Sequence, residues 1–186
     1  MTFLHTLAAN CRRTPHKVAV EMIGGPTATY GQLEETVQRT MRYLQEQGVK
    51  QGDRVALQLP KGLPFVYLHL AIMRLGAISL PLNPEYPPRE LAYFLDDAQV
   101  ALFIAHESNR KVVEEVRGDL PALKQVVFLR GDGDASFQTL LPNASENAPL
   151  PAIPDDEDLT ALMIYTSCLL YTSDAADEED SVDLGG

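Results

Sequence analysis

The residues best suited to chemistry are Thr166 and Ser167, two hydroxyls that follow Tyr165 at the end of the apolar run Leu159-Thr-Ala-Leu-Met-Ile164. A buried strand that runs into hydroxyl residues delivers them to a turn at a ligand. A loop that grips phosphate needs glycines next, because only glycine lets successive backbone N–H groups converge on one anion. The chain instead continues Cys168-Leu-Leu-Tyr-Thr-Ser173 and then turns acidic. The hydroxyls of a phosphate site are present and its glycines are not.

Other chemical groups carry less. Pro60-Lys61-Gly62 lacks the G-x-x-x-x-G-K-[ST] pattern of a phosphate loop and reads as a strand-to-helix turn with an exposed lysine. His5, His16, His69 and His106 are scattered without metal-ligand spacing, as surface or satisfied core residues. Cys11 lies on an apolar helix face and reads as a small core residue. Glu34-Glu35 and Asp96-Asp97 read as solvated helix faces rather than catalytic pairs. No catalytic side chain and no metal ligand is assigned. A dinucleotide-binding oxidoreductase is unsupported, since no G-x-G-x-x-G follows a strand and Gly24-Gly25-Pro26 falls in a hairpin turn.

The elements that must position the two hydroxyls follow from periodicity. Phe3, Leu4, Leu7, Ala8 and Cys11 have helical spacing up to Pro15. Val18–Ile23 and Thr27–Tyr30 flank a turn and predict a hairpin. Thr29 is placed to cap a helix ending near Gly48, with Leu33, Val37, Met41 and Leu44 as its apolar stripe. A strand over Arg54–Leu59, a helix over Phe65–Leu75 that stops at Gly76, and an extended Ala77–Leu82 come next. The turn-rich Asn83–Pro88 leads to a helix over Arg89–Ala98 with Leu91, Phe94 and Leu95 inward. A strand over Val100–Ala105, an amphipathic helix over Glu107–Leu120 and a strand over Gln125–Leu129 follow. Residues 131–158 read as exposed linker with one apolar patch at Phe137–Leu141, before a last buried strand, Leu159–Tyr165. Alternation of this kind predicts an α/β fold, a mostly parallel sheet with helices on both faces, whose ligands bind at the carboxyl ends of the strands.

Composition narrows the class. The 186 residues are 45% apolar and 22% charged, suited to a globular domain or part of a larger one. The net charge of −11 is concentrated at the end: residues 168–186 hold six acids and no Lys or Arg, leaving −5 on 1–167. Without a basic patch, nucleic acid is not an expected partner. Two cysteines form no disulfide framework, the start lacks a secretory pattern, and the Phe65–Leu75 stretch is too short to cross a bilayer. The expectation is a cytoplasmic protein without a transmembrane segment.

Four segments, Ala28-Thr-Tyr-Gly-Gln-Leu33, Gln51-Gly-Asp-Arg-Val-Ala-Leu57, Met73-Arg-Leu-Gly-Ala-Ile-Ser-Leu-Pro-Leu-Asn-Pro84 and Met163-Ile-Tyr-Thr-Ser167, occur in the order found in adenylate-forming enzymes. The chain resembles that superfamily over 1–167. The resemblance implies an incomplete N-terminal subdomain of the adenylate-forming fold, cut within the phosphate-binding loop. Asn83 and the run Pro88-Arg-Glu-Leu-Ala-Tyr-Phe-Leu-Asp-Asp97 are most similar to acyl-CoA synthetases, whereas Glu85-Tyr-Pro87 is shared with the amino-acid adenylation domains of peptide synthetases. The implied reaction joins a carboxylic acid to CoA at the expense of ATP, through an acyl-adenylate, with ATP, Mg2+ and CoA as cofactors. The resemblance assigns Thr166 and Ser167 to the ATP phosphates. It places glycine where Cys168 stands, and puts the rest of the loop, the magnesium ligand, the acyl pocket and a mobile C-terminal lysine further on. This chain is therefore expected to be inactive, to bind nucleotide poorly and to aggregate through its uncovered last strand.

Residues 168–186 carry a second resemblance. Cys168-Leu-Leu-Tyr-Thr-Ser-Asp-Ala-Ala-Asp177 is encoded by TGT CTC TTA TAC ACA TCT GAC GCT GCC GAC, which resembles the transposase adapter of DNA libraries, and Ser181–Gly186 resembles its outer part. The expectation is a non-native, disordered tail. The alternative is a non-catalytic α/β binding module with a functional acidic tail.

Overall fold

The computed structural model describes residues 2–130, 134–141, 150–156 and 158–165. Its centre is a four-stranded, wholly parallel sheet in the order β4-β3-β5-β6. The strands are β3 (Arg54–Gln58), β4 (Ile78–Pro81), β5 (Leu102–His106) and β6 (Gln125–Leu129). Ahead of it, β1 (Val18–Glu21) and β2 (Thr27–Thr29) form the expected antiparallel hairpin.

Helices cover both faces because side chains alternate along each strand. Val55, Leu57, Leu102 and Ile104 face α1 (Phe3–Arg13), α2 (Tyr30–Glu46) and α3 (Leu63–Arg74). Ala56, Leu80, Phe103 and Ala105 face α4 (Pro88–Asp97) and α5 (Arg110–Val116). Helix α2 begins as the sequence predicts. Thr29 Oγ1 accepts from the Gln32 amide and Gln32 Oε1 accepts from the Thr29 amide, a complete capping box. Helix α3 ends at Gly76, whose φ of +69° suits a residue without a side chain. A Cβ there would also stand 3.0 Å from Gln51 Cγ.

Four expectations need correction. The helix expected over Glu107–Leu120 is split: 3-10 turns at Glu107–Asn109 and Arg117–Asp119 flank a short α5. The imidazole of His106 accepts from the Ser108 amide, and Asn109 donates to the Pro84 carbonyl, so the entry is tied to neighbouring loops rather than to a helical first turn. Residues 134–140, read as linker, form helix α6 (Asp134–Leu140). Phe137 is fully buried and stacks on Tyr67 at 6.0 Å, so burial of one aromatic ring outweighs polar surroundings.

The last strand is reduced to one parallel bridge, Leu162 opposite Ser79, on the outer edge of β4. The Ser79 amide donates to Ala161 O and the Met163 amide donates to Ser79 O, both at 3.0 Å. Nor is this segment buried on both faces. Met163 and Tyr165 pack towards α4, but Leu162 is 41% and Ile164 62% exposed, with no described helix over them.

Glu34 is the fourth. It lies on no solvated face: it forms a bidentate ion pair with Arg74, itself 3% exposed. The partner forty residues away on α3 is invisible to local pattern. Glu35, by contrast, is exposed.

Candidate functional site

The residues that follow β3 and β4 lie together at the carboxyl edge of the sheet. In the order β4-β3-β5-β6 the chain steps from β3 through α3 to β4 on one side, then crosses back through α4 to β5 on the other side of β3. Gln58, the last residue of β3, is fully buried there. Its Nε2 donates to Asn83 O at 3.1 Å, while its Oε1 is buried without a partner. Asn83 in turn accepts the Glu85 amide on Oδ1 at 3.0 Å, which closes the turn ahead of Tyr86. The turn falls within the turn-rich Asn83–Pro88 expected from sequence, but Gln58 was not identifiable, since an isolated Gln in an apolar strand carries no pattern.

The 159–165 segment runs parallel to β4 and brings Tyr165 to the same edge. Tyr165 sits in an aromatic group centred on Phe94, with ring centroids 4.5 Å apart, joined by Tyr86 at 4.9 Å from Phe94 and by Tyr93. Its hydroxyl donates to Asp97 Oδ2. Burial raises the Tyr165 pKa, and the Asp97 bond and charge raise it further, so the phenol stays protonated. Asp97, read from sequence as a solvated carboxylate, is therefore an anchor for the end of this segment. Thr166 and Ser167 follow directly in the chain and lie outside the described residues, as does the 168–186 tail.

Behind β4, His69 of α3 is half-buried, its Nδ1 hydrogen-bonded to Ser79 Oγ at 2.8 Å and its ring stacked on Phe65 at 5.8 Å. Burial lowers its pKa. It is the satisfied core histidine that the sequence suggested. Cys11 is buried beside Glu34, and burial followed by the Glu34 charge raises its pKa, which makes the thiol unreactive. Lys61 is exposed in its turn. Among the described residues no group of three or more His, Cys, Asp or Glu side chains is placed to hold a metal ion. No described helix is long and apolar enough to cross a membrane.

Residues 7–168 match the family model of the AMP-binding enzymes. The chain belongs to this family. It is 29% identical over 163 residues to the medium-chain fatty-acid–CoA ligase of Escherichia coli (strain K12), covering 84% of this chain and 29% of that protein. It is also 32% identical over 166 residues to tyrocidine synthase 3 of Brevibacillus parabrevis, covering 89% of the chain and 2% of the synthase. Among solved structures, ATP-bound MatB from Rhodopseudomonas palustris superposes with a TM-score of 0.75 at 32% identity, over 88% of this chain and 32% of MatB. The chain thus spans less than a third of each of these relatives. Its α/β architecture is also that of the N-terminal domain of FACL13 from Mycobacterium tuberculosis, with a TM-score of 0.77 over 90% of this chain and 42% of that one.

Proposed function

We propose that the parent protein is an AMP-forming acyl-CoA synthetase and that residues 1–167 are the start of its nucleotide domain. In the proposed reaction a carboxylate oxygen attacks the α-phosphate of ATP and pyrophosphate leaves. The CoA sulfur then attacks the acyl carbon and AMP leaves. The observation that carries this reading is the docking of 159–165 on the outer edge of β4, which brings Tyr165, the residue before Thr166 and Ser167 in the chain, to the carboxyl edge. Donors there would offset the charge that grows on departing pyrophosphate. ATP, Mg2+ and CoA are the cofactors proposed for the parent, with a small carboxylic acid as its substrate and the cytoplasm as its location. Residues 168–186 belong, in this reading, to no cellular protein, and the 186-residue chain lacks catalytic competence.

Amino-acid adenylation is the second reading, favoured by the match to tyrocidine synthase 3. Asn83 does not separate the two, because an aspartate would accept the Glu85 amide equally well. The similarity of the run starting at Pro88 to acyl-CoA synthetases, together with the match to the fatty-acid–CoA ligase of Escherichia coli, tips the choice. The test is carboxylate-dependent exchange of pyrophosphate into ATP by the complete parent protein, followed by CoA-dependent AMP release. The synthetase reading expects both with aliphatic acids. Exchange with amino acids alone, or AMP release that ignores CoA, overturns it.

A further inference from the structure

A cavity of about 250 Å3 opens between α1, the hairpin, α2 and α3. Phe3 and Leu7 line it from α1, Ala19 and Val20 from β1, and Tyr30 and Leu33 from α2. His69 projects among them from α3, and its one hydrogen bond is to Ser79 of β4. No carboxylate, lysine or arginine lines this space, and Tyr30 is its one other titratable group. Ser79 is fully buried, and its backbone holds both hydrogen bonds that fasten the 159–165 segment. Side chain and main chain of a single serine therefore join the imidazole to the segment that leads to Thr166 and Ser167.

We propose that His69 is a positioning residue: through Ser79 it holds the 159–165 segment in register on β4, and protonation of the imidazole releases that segment. An imidazolium in this apolar surround has no counter-ion, so gaining a proton favours any state in which the ring reaches water. Neutral His69 fixes Ser79, Ser79 fixes Ala161 and Met163, and Tyr165 then reaches Asp97. The functional consequence rests on the proposed phosphate-site reading, but the mechanical link does not.

The test is amide hydrogen exchange of Met163 in the 186-residue chain, with the Leu82 amide, which bonds Leu57 O in the same sheet, as reference. His69→Phe keeps the ring and removes the bond. It is expected to lower Met163 protection roughly fivefold at about pH 7.5 and leave Leu82 unchanged. In the unsubstituted chain, Met163 protection falls by up to about tenfold per pH unit below about 6.5. His69→Asn, which keeps a hydrogen-bonding group near the Nδ1 position without titrating there, restores protection and flattens that profile. The proposal is overturned if His69→Phe leaves Met163 protected, if the pH step survives in His69→Asn, or if Leu82 loses protection equally. None of these outcomes depends on ATP chemistry, so failure of the synthetase assay and failure of this link are separate results.

Discussion

Replacement of Glu34 by leucine removes the acceptor for a guanidinium that the fold cannot expose. Arg74 donates to the two carboxylate oxygens at 2.9 and 2.8 Å, and its side chain is 4% accessible against 24% for Glu34. Removing one partner of a buried pair costs about 3–5 kcal/mol, because the remaining charge is left without compensation. The quarter of Glu34 that reaches water brings this to about 2–3 kcal/mol for Glu34→Leu. Burial raises the Glu34 pKa, but hydrogen bonds from Arg74 and Gln38 outweigh it, and the net effect is a carboxyl held below its ordinary 4.5. A depressed carboxyl pKa stabilises the fold above the ordinary value and loses that contribution as pH falls through the folded value. The gap between the unsubstituted chain and Glu34→Leu is thus full at neutral pH and narrows below pH 4.5. Urea unfolding followed by circular dichroism measures both. In the double variant Glu34→Leu, Arg74→Met no charge is stranded, and stability returns to within about 1 kcal/mol of the original. A single variant that unfolds like the parent chain, or a double variant no better than the single, refutes the reasoning.

Phe137→Ala empties a fully buried site against Tyr67 and is expected to cost about 3–5 kcal/mol in the same urea assay, far more than a residue in an exposed linker would. Thr29→Ala breaks the capping box of α2 and should cost about 1 kcal/mol, whereas Thr29→Ser should cost little. Tyr165 keeps its proton beyond the ordinary 10.0, so it supports the fold up to that pH and ceases to as pH rises through its folded value. Absorbance at alkaline pH should show late-titrating phenols, since burial also raises the Tyr43 pKa, and Tyr165→Phe should remove one of them.

Most of the elements were legible because each obeys a local rule. The stripe Leu33, Val37, Met41 and Leu44 is one face of α2, and all four are buried. Apolar β3 and β5 are covered on both sides, so their continuous hydrophobic runs fit parallel pairing. The failures share a cause, which is dependence on distant partners. Helix α6 owes its place to Tyr67 and the α3 face, and its one local signal was the spacing of Phe137, Leu140 and Leu141. Glu34 looked solvated because Arg74 lies on another helix. The run 159–165 had the composition of a central strand yet occupies an edge, because composition does not show which neighbours a strand has. The hydroxyl pair Thr166 and Ser167 lies outside the described residues, while the buried Gln58 and the His69–Ser79 bond follow from topology alone.

The central claim is that Thr166 and Ser167 open a phosphate-binding loop that continues in the parent gene. Long-read sequencing of the source DNA across codon 168, without transposase adapters, tests it most directly. The account predicts glycine at 168 and an open frame running through further Thr and Gly residues to Pro-Lys-Gly. A cellular gene that encodes Cys168–Gly186 and then stops contradicts it, and leaves the acidic-tailed binding module in its place.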